Sequence, residues 1–158
     1  MTLQSFLILG LLAVAGSAGA VLRYLIDVTI TGLQIRRIPG LKHLFPWGIF
    51  TANVLACFLM AAALGVAART GLPLELSLLF DAPSGGIAST QMTSLLFLAI
   101  TIGFCGSLST MSTLMVSVVS LLRSGARTLA ITYLGLSLLA GLSAGALGYY
   151  ASSLLLGR

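Results

Sequence analysis

The sequence predicts an all-α integral membrane protein with four membrane-spanning helices. Hydrophobic residues make up 58% of the 158 residues and charged residues only 7%, whereas soluble domains usually contain about 25% charged residues. Apolar runs recur that are long enough to cross a bilayer, which takes roughly 20 residues. We place all spans in a single membrane domain, 1–158, without room for a separate catalytic domain. The spans cover about 3–26, 47–68, 92–122 and 128–156.

The first span is free of charge until Arg23, near its end. Asp27 follows four residues later, so the two side chains could pair on one helix face. The alternative is an arginine that extends to the membrane interface. Earlier in this span, the small residues of 16–20 offer a surface for close approach of another helix.

The third span is interrupted by the sequence GFCGSLSTMSTLM at 103–115, with apolar residues continuing on both sides. Glycine costs about 1 kcal/mol relative to alanine in a helix. A long span broken in its middle is typical of a discontinuous membrane helix, whose free carbonyls line a cavity or hold an ion. We therefore expect residues 103–109 to be non-helical near the bilayer midplane. The alternative is that the hydroxyls bond to their own helix or a neighbouring one.

Two rows of hydroxyl residues follow this interruption. Their spacing of three and four residues predicts that the members of each row share one helix face. One row is Ser109, Ser112 and Thr113, and the overlapping row is Thr110, Thr113 and Ser117.

The other spans contain few polar side chains. Asn53 is the one strongly polar residue of the second span, and an unpaired amide is costly in hydrocarbon. It must face either a partner helix or a wet path. In the fourth span a stripe recurs every four residues, which by default is a packing face; its members are Tyr133, Ser137, Gly141, Gly145 and Tyr149.

The predicted connections 27–46 and 69–94 are long. The first is basic and contains two prolines, and the second contains the turn-forming stretch 83–86. Residues 76–80 are too few to span and form either a short interfacial helix or a disordered segment.

Three stretches together resemble the Fluc-type (CrcB-type) fluoride channels. GFCGSLSTMST is similar to the family's signature, whose usual form is close to GFCGGxTTFSTF. Residues 19–24, GAVLRY, resemble the family's first-helix ending, and 47–53, WGIFTAN, resemble its GTLxVN segment. The resemblance covers nearly the whole chain. It implies a multi-pass protein of the cell (plasma or inner) membrane that is not an enzyme and lets fluoride leave the cell passively.

The resemblance also implies an assembly and its sites. Two four-helix chains pack as an antiparallel dimer with a central structural Na⁺. The ion is held by the backbone carbonyls of Gly106 and Ser109, which are turned toward the dyad or pseudo-dyad axis. Asn53 donates to the permeating anion, and Arg23 has a structural role. The remaining anion-pathway residues are Ser112, Thr113, Tyr133, Ser137, Met111 and Leu114.

Several of these positions depart from the family pattern. Met111 and Leu114 stand where the family has phenylalanines, whose ring edges carry positive potential. Ile49 replaces a threonine, Ser117 an acidic residue, and Gly141 lacks an expected hydroxyl. The pore lining of this chain is therefore degenerate. This leaves open a second reading, a non-conducting structural subunit that completes a partner's pore.

The basic residues are distributed unevenly between the two membrane sides. Toward one side lie Arg23, Arg36, Arg37, Lys42, Arg123 and Arg127, and toward the other only Arg69 and Arg158. Because Lys and Arg near span ends stay in the cytoplasm, we expect a fixed orientation with both termini outside. Fixed orientation favours a heterodimer with an oppositely inserted homologue over a dual-topology homodimer. This distribution at membrane edges does not indicate nucleic-acid binding.

A small dual-topology drug exporter is the alternative from another class. Such an exporter needs a membrane-embedded carboxylate to exchange protons for cations. The three acidic residues, Asp27, Glu75 and Asp81, fall at span ends or in connections, which argues against it.

Overall fold

The computed structural model describes residues 3–37, 44–71, 96–97 and 99–156, and every element within these ranges is helical. The elements are α1 (Leu3–Arg37), α2 (Trp47–Thr70), a π-helix (Ala99–Cys105), the single turn α3 (Gly106–Leu108), α4 (Met111–Arg123) and α5 (Arg127–Leu156). Among the described residues, four helical stretches are long and apolar enough to cross a membrane: Leu9–Arg37, Trp47–Thr70, Thr101–Arg123 and Arg127–Leu155. The all-helical prediction is confirmed.

The first helix is longer than the sequence predicted. It continues to Arg37, so the assignment of 27–46 to a connection is wrong for 27–37. The first proline after the span is Pro39, and nothing before it removes a backbone donor. Gln34 Nε2 donates to the Phe45 carbonyl at 3.0 Å, which ties the end of α1 to the segment preceding α2.

The third span is helical where we expected it to unwind. Residues 103–108 belong to the π-helix and to α3, so the expectation of a non-helical 103–109 is wrong for all but Ser109. The reason is visible at Gly103, where a Cβ would lie only 3.1 Å from the Leu12 carbonyl oxygen and 3.2 Å from Ala15 Cβ. This glycine allows close packing of α1 and does not unwind the chain. Its helical cost is offset by tertiary contact.

Small residues bring α1 against the third span. A Cβ on Gly19 would overlap the Phe104 carbonyl and Ser107 Oγ, and Gly19 is buried. The predicted close-approach surface at 16–20 is therefore confirmed at this residue. Because contacts advance together along both helices, α1 and the third span run in the same direction.

The helices α2 and α5 pack closely and also run in the same direction. A Cβ on Gly148 would lie 3.1 Å from the Ala62 nitrogen and would overlap the Phe58 carbonyl, and one on Gly145 would lie 3.9 Å from Ala61 Cβ. The predicted stripe on the fourth span is a packing face at Gly145. At its far end, helix α2 stops at Gly71, whose φ of 66° is left-handed and whose N–H bonds to the Ala67 carbonyl.

The outer surface of the bundle is apolar. Large hydrophobic side chains with half or more of their area exposed occur on α1, α4 and α5, which fits helices surrounded by lipid or by another subunit. Examples are Val14, Val21, Val116, Ile131, Leu142, Leu154 and Leu155. The short helix expected at 76–80 lies outside the described residues.

Candidate functional site

The regular helical bonding of the third span ends at Ser109 and Thr110. Both residues are extended, with φ and ψ of −102° and 116° at Ser109 and −127° and 127° at Thr110. Ser109 N–H still bonds to the Cys105 carbonyl at 3.0 Å. In an uninterrupted helix Thr110 N–H would bond to the Gly106 carbonyl, and no such bond is present. The Gly106 carbonyl is therefore free for another partner.

Arg23 of α1 holds this interruption from the side. Its Nη1 donates to Thr110 Oγ1 and, at 3.3 Å, to Thr113 Oγ1. The two threonine hydroxyls are themselves 2.5 Å apart. Arg23 thus reaches the start of α4 and not Asp27, whose Oδ1 accepts from Thr31 at 3.3 Å. Arg23 therefore follows neither of the two alternatives, pairing with Asp27 or extension to the interface, and bonds to the interrupted helix instead.

A groove of about 290 Å³ lies beside the interruption, between α2, α4 and α5. Its lining includes Asn53, Ser109, Met111, Leu114 and Ser137, all of which the sequence had singled out. Two of these lining residues carry a buried polar atom that forms no hydrogen bond within the chain, Asn53 Oδ1 and Ser137 Oγ. Such atoms are costly to leave unpaired, so the groove is suited to a ligand that forms hydrogen bonds.

Other predicted residues lie outside the groove lining of this chain. Ser112 is exposed, and Thr113 bonds to Arg23. Tyr133 is fully buried next to Leu114, and its ring is edge-on to Phe45 with the ring centroids 5.2 Å apart. Its hydroxyl forms no hydrogen bond of normal geometry but adjoins the hydroxyls of Ser117 and Ser137.

The shared face expected for Ser109, Ser112 and Thr113 is wrong, because Ser109 is extended and precedes α4. The overlapping row is confirmed for Thr110 and Thr113. Two of its hydroxyls meet, because Thr110 Oγ1 contacts Thr113 Oγ1 although Thr110 is extended. Ser117 Oγ instead donates to the backbone carbonyl of Thr113 at 3.0 Å.

Sequence reasoning gave no pathway role to Cys57 and no partner to Thr110. Cys57 lines the groove one turn beyond Asn53, and this spacing of four residues was the signal that would have found it. Thr110 was placed in a hydroxyl row, but its bond to Arg23 depends on the packing of α1, which the sequence does not show.

The lining of the groove determines which chemistry it supports. Its polar side chains are one amide, three hydroxyls and one thiol, with aliphatic and thioether side chains between them; the polar residues are Asn53, Ser109, Thr110, Ser137 and Cys57. Within the described residues, no cluster of three or more His, Cys, Asp or Glu side chains is placed to hold a metal. Neutral donors in an apolar groove can replace the hydration shell of a small ion without trapping it by opposite charge.

A helical bundle with several membrane spans, and a largely apolar groove with a few polar groups at a helix interruption, is typical of a membrane channel or transporter. Residues 10–149 match the family described as CrcB-like protein, Camphor Resistance (CrcB). The chain belongs to this family, which confirms the resemblance seen in its sequence motifs.

The similar proteins are ion channels by name. The chain is 39% identical to fluoride-specific ion channel FluC 1 of Frankia casuarinae over 139 residues, 87% of this chain and 91% of the relative. It is 34% identical to FluC 1 of Streptomyces avermitilis over 143 residues, 89% and 92% of the two chains. For FluC of Bacteroides fragilis the identity is 29% over 137 residues, 87% and 89%. The predictions of a multi-pass membrane protein and of a channel, not an enzyme, are confirmed.

Proposed function

We propose that this chain is a subunit of a fluoride-selective channel that mediates passive export of fluoride across the cell (inner) membrane and so lowers cytoplasmic fluoride. Membership of the CrcB family and the names of the relatives support the ion. The observation that carries the proposal to this chain is the groove, where Asn53 Oδ1 and Ser137 Oγ are buried and unpaired beside a helix interruption.

In the proposed path Asn53 is the principal anion donor. Rotation of its amide exchanges the positions of Oδ1 and Nδ2. The N–H groups then occupy the position where the unpaired Oδ1 now lies. The Ser137 hydroxyl is the second donor, and the buried Tyr133 hydroxyl lies one turn before it on α5. Ser112 and Thr113 complete the polar lining in the assembled channel.

Met111 and Leu114 line the groove. In the proposed path they are the two apolar contacts of the anion. Met111 is 64% exposed at the rim, whereas Leu114 is 7% exposed. Neither offers the positive edge of an aromatic ring. We propose that an exposed Met111 meets the partner subunit, which supplies the aromatic edges that this chain lacks. A non-conducting structural subunit remains the alternative.

We also propose a structural Na⁺ at the interruption, held by the backbone carbonyls of Gly106 and Ser109. Unwound carbonyls are the groups that hold Na⁺ in discontinuous membrane helices. The arrangement fits such an ion, because the Gly106 carbonyl lacks its helical partner and a Cβ on Gly106 would meet nothing within 4 Å. Bound there, the cation would fix the interruption and join two subunits.

The proposed partner is a homologous subunit inserted in the opposite orientation. The open side of the groove and the exposed Met111 call for a covering surface. The extension of α1 to Arg37 leaves the charge bias unchanged, because Arg36 and Arg37 stay at the same end of the first span. A heterodimer is favoured, and a dual-topology homodimer is the second arrangement.

Purified protein in liposomes tests the proposal. Vesicles loaded with potassium fluoride, with valinomycin to carry the compensating charge, should release fluoride when the chain is present alone or with a homologous subunit. An electrode records the release, and potassium chloride vesicles are the control. Failure to release fluoride in both arrangements, or equal release of chloride, would overturn the proposal.

A further inference from the structure

The groove has a second layer that the proposed roles do not use. On α2, Cys57 follows Asn53 by one helical turn, and on α5, Gly141 follows Ser137 by one turn. All four residues line the groove. Because α2 and α5 run in the same direction, an ion that leaves the first pair along the groove meets the second pair next.

Cys57 lies directly beside the space that a side chain at position 141 would use. A Cβ built on Gly141 would lie 3.4 Å from Cys57 Sγ, which is van der Waals contact. The thiol is free and half-buried. At this layer Gly141 supplies no side-chain donor, and Cys57 contributes an S–H, which is a weak hydrogen-bond donor.

The adjoining layer provides independent evidence for a ligand. Ser137 is only 8% exposed, and its Oγ is buried without a partner in the groove. Asn53, whose Oδ1 is also unpaired, lines the same groove. The thiol therefore adjoins two residues with polar atoms that a hydrogen-bonding ligand could satisfy.

We propose that Cys57 is an anion-pathway residue, whose S–H donates to fluoride at the layer following Asn53 and Ser137 and replaces the donor that Gly141 cannot supply. This inference rests on the proposed function. It assigns to Cys57 on α2 the hydrogen bond that the family pattern expects from a hydroxyl at position 141 on α5.

A reciprocal exchange of the donor between the two helices tests the inference. Cys57→Ala should slow fluoride efflux about threefold to tenfold, the effect of losing one modest hydrogen bond. Cys57→Ser should keep the rate at or above that of the wild type. Cys57→Ala with Gly141→Ser should return to within about twofold of the wild type, because removing Sγ makes room for a hydroxyl from α5.

The other cysteine gives the matched control. Cys105 is buried in the third span, and Cys105→Ala should leave efflux unchanged. Unchanged efflux in Cys57→Ala would overturn the inference. A double variant no faster than Cys57→Ala would overturn it as well, because the hydroxyl would then fail to replace the thiol.

Alkylation gives a readout that a packing role would not move. In the Cys105→Ala protein, the Cys57 thiol adds across the double bond of N-ethylmaleimide, with its sulfur bonding to one carbon and a proton to the other. Mass spectrometry measures how fast the adduct forms. Fluoride should slow this reaction more than chloride at equal concentration. Equal alkylation rates in fluoride and in chloride would count against an anion at Cys57. This test needs no substitution at Cys57, so it holds even if the Cys57 variants fold poorly.

The two proposals fail in different ways. Absence of fluoride efflux from the wild type, alone and with a homologous subunit, rejects the proposed function. Normal wild-type efflux with an unaffected Cys57→Ala rejects the Cys57 inference alone.

Discussion

The two halves of the contact between α2 and α5 are built from similar residues but differ in how their polar groups are satisfied. In the half near the C-terminal ends of the two helices, which we call the closed half, Ser152 Oγ donates to the Tyr149 carbonyl at 2.6 Å and accepts from Arg69 Nη1 at 2.8 Å. In the half near the interruption, which we call the open half, Ser137 Oγ forms no hydrogen bond of normal geometry and adjoins the Tyr133 hydroxyl, which also lacks one. Both serines are buried on the same helix.

Packing explains the difference between these halves. In the closed half, glycines bring the two backbones into contact: a Cβ on Gly65 would overlap Ser152 Oγ, and one on Gly148 would overlap the Phe58 carbonyl. In the open half the two extended residues 109–110 separate α3 from α4 and leave a groove. A membrane serine therefore indicates packing where its hydroxyl is bonded and a ligand path where its hydroxyl is buried and unpaired.

The largest effect should come from breaking the closed half. Gly148→Val places a branched side chain against the backbone of α2, and overpacking of this kind costs about 1–3 kcal/mol or more. We expect a large loss of monodisperse protein in size-exclusion chromatography and a lower melting temperature in detergent. Gly135→Val is the control, since a Cβ there meets nothing within 4 Å on the same helix. Equal yields of the two variants would contradict the assigned packing.

The next effect concerns the open half and separates transport from stability. Asn53→Leu removes the unpaired amide, and a hydrogen bond to a charged group is worth about 1.5–3 kcal/mol. Fluoride efflux should fall about tenfold to a hundredfold, with no loss of thermal stability. Thr51→Ala on the same helix should leave efflux unchanged, because its hydroxyl is exposed and bonded to the Trp47 carbonyl. Unchanged efflux in Asn53→Leu would favour the structural-subunit alternative.

A smaller effect tests how the interruption is held. Arg23→Gln removes the charged donor to Thr110 and Thr113, and we expect destabilisation of about 1–3 kcal/mol. Thr113→Ala should destabilise less, because Thr110 still accepts from Arg23. Unfolding free energies of both single variants and the double variant give the coupling energy. Strictly additive losses would show that the Arg23–Thr113 contact contributes nothing.

Much of the fold followed from residue type and spacing. The fourth predicted span, 128–156, coincides with α5, because a long apolar run without proline has one regular solution in a membrane. The interruption was sought at Gly103 and Gly106 from helix propensity, yet it falls at Ser109 and Thr110. Propensity is a weak guide here because contact with α1 determines what Gly103 does.

The candidate site was predicted in composition but not in arrangement. Asn53, Met111, Leu114 and Ser137 meet in one groove, as their resemblance to a known pattern implied. The bond from Arg23 to Thr110 and the contact of Cys57 with position 141 were not foreseen. Both depend on which faces of distant helices meet, and spacing along one helix does not carry that information.

The central claim is that the open half of the α2–α5 contact carries fluoride and the closed half only packs. The most direct measurement compares fluoride efflux from liposomes containing Ser137→Ala or Ser152→Ala, the same substitution in the two halves of one helix. We predict a reduction of about threefold to tenfold for Ser137→Ala and wild-type efflux for Ser152→Ala. Ser152→Ala should instead lower the melting temperature, because Arg69 keeps its bond to the Gly65 carbonyl but loses the one to Ser152. Wild-type efflux in Ser137→Ala together with reduced efflux in Ser152→Ala would contradict the account.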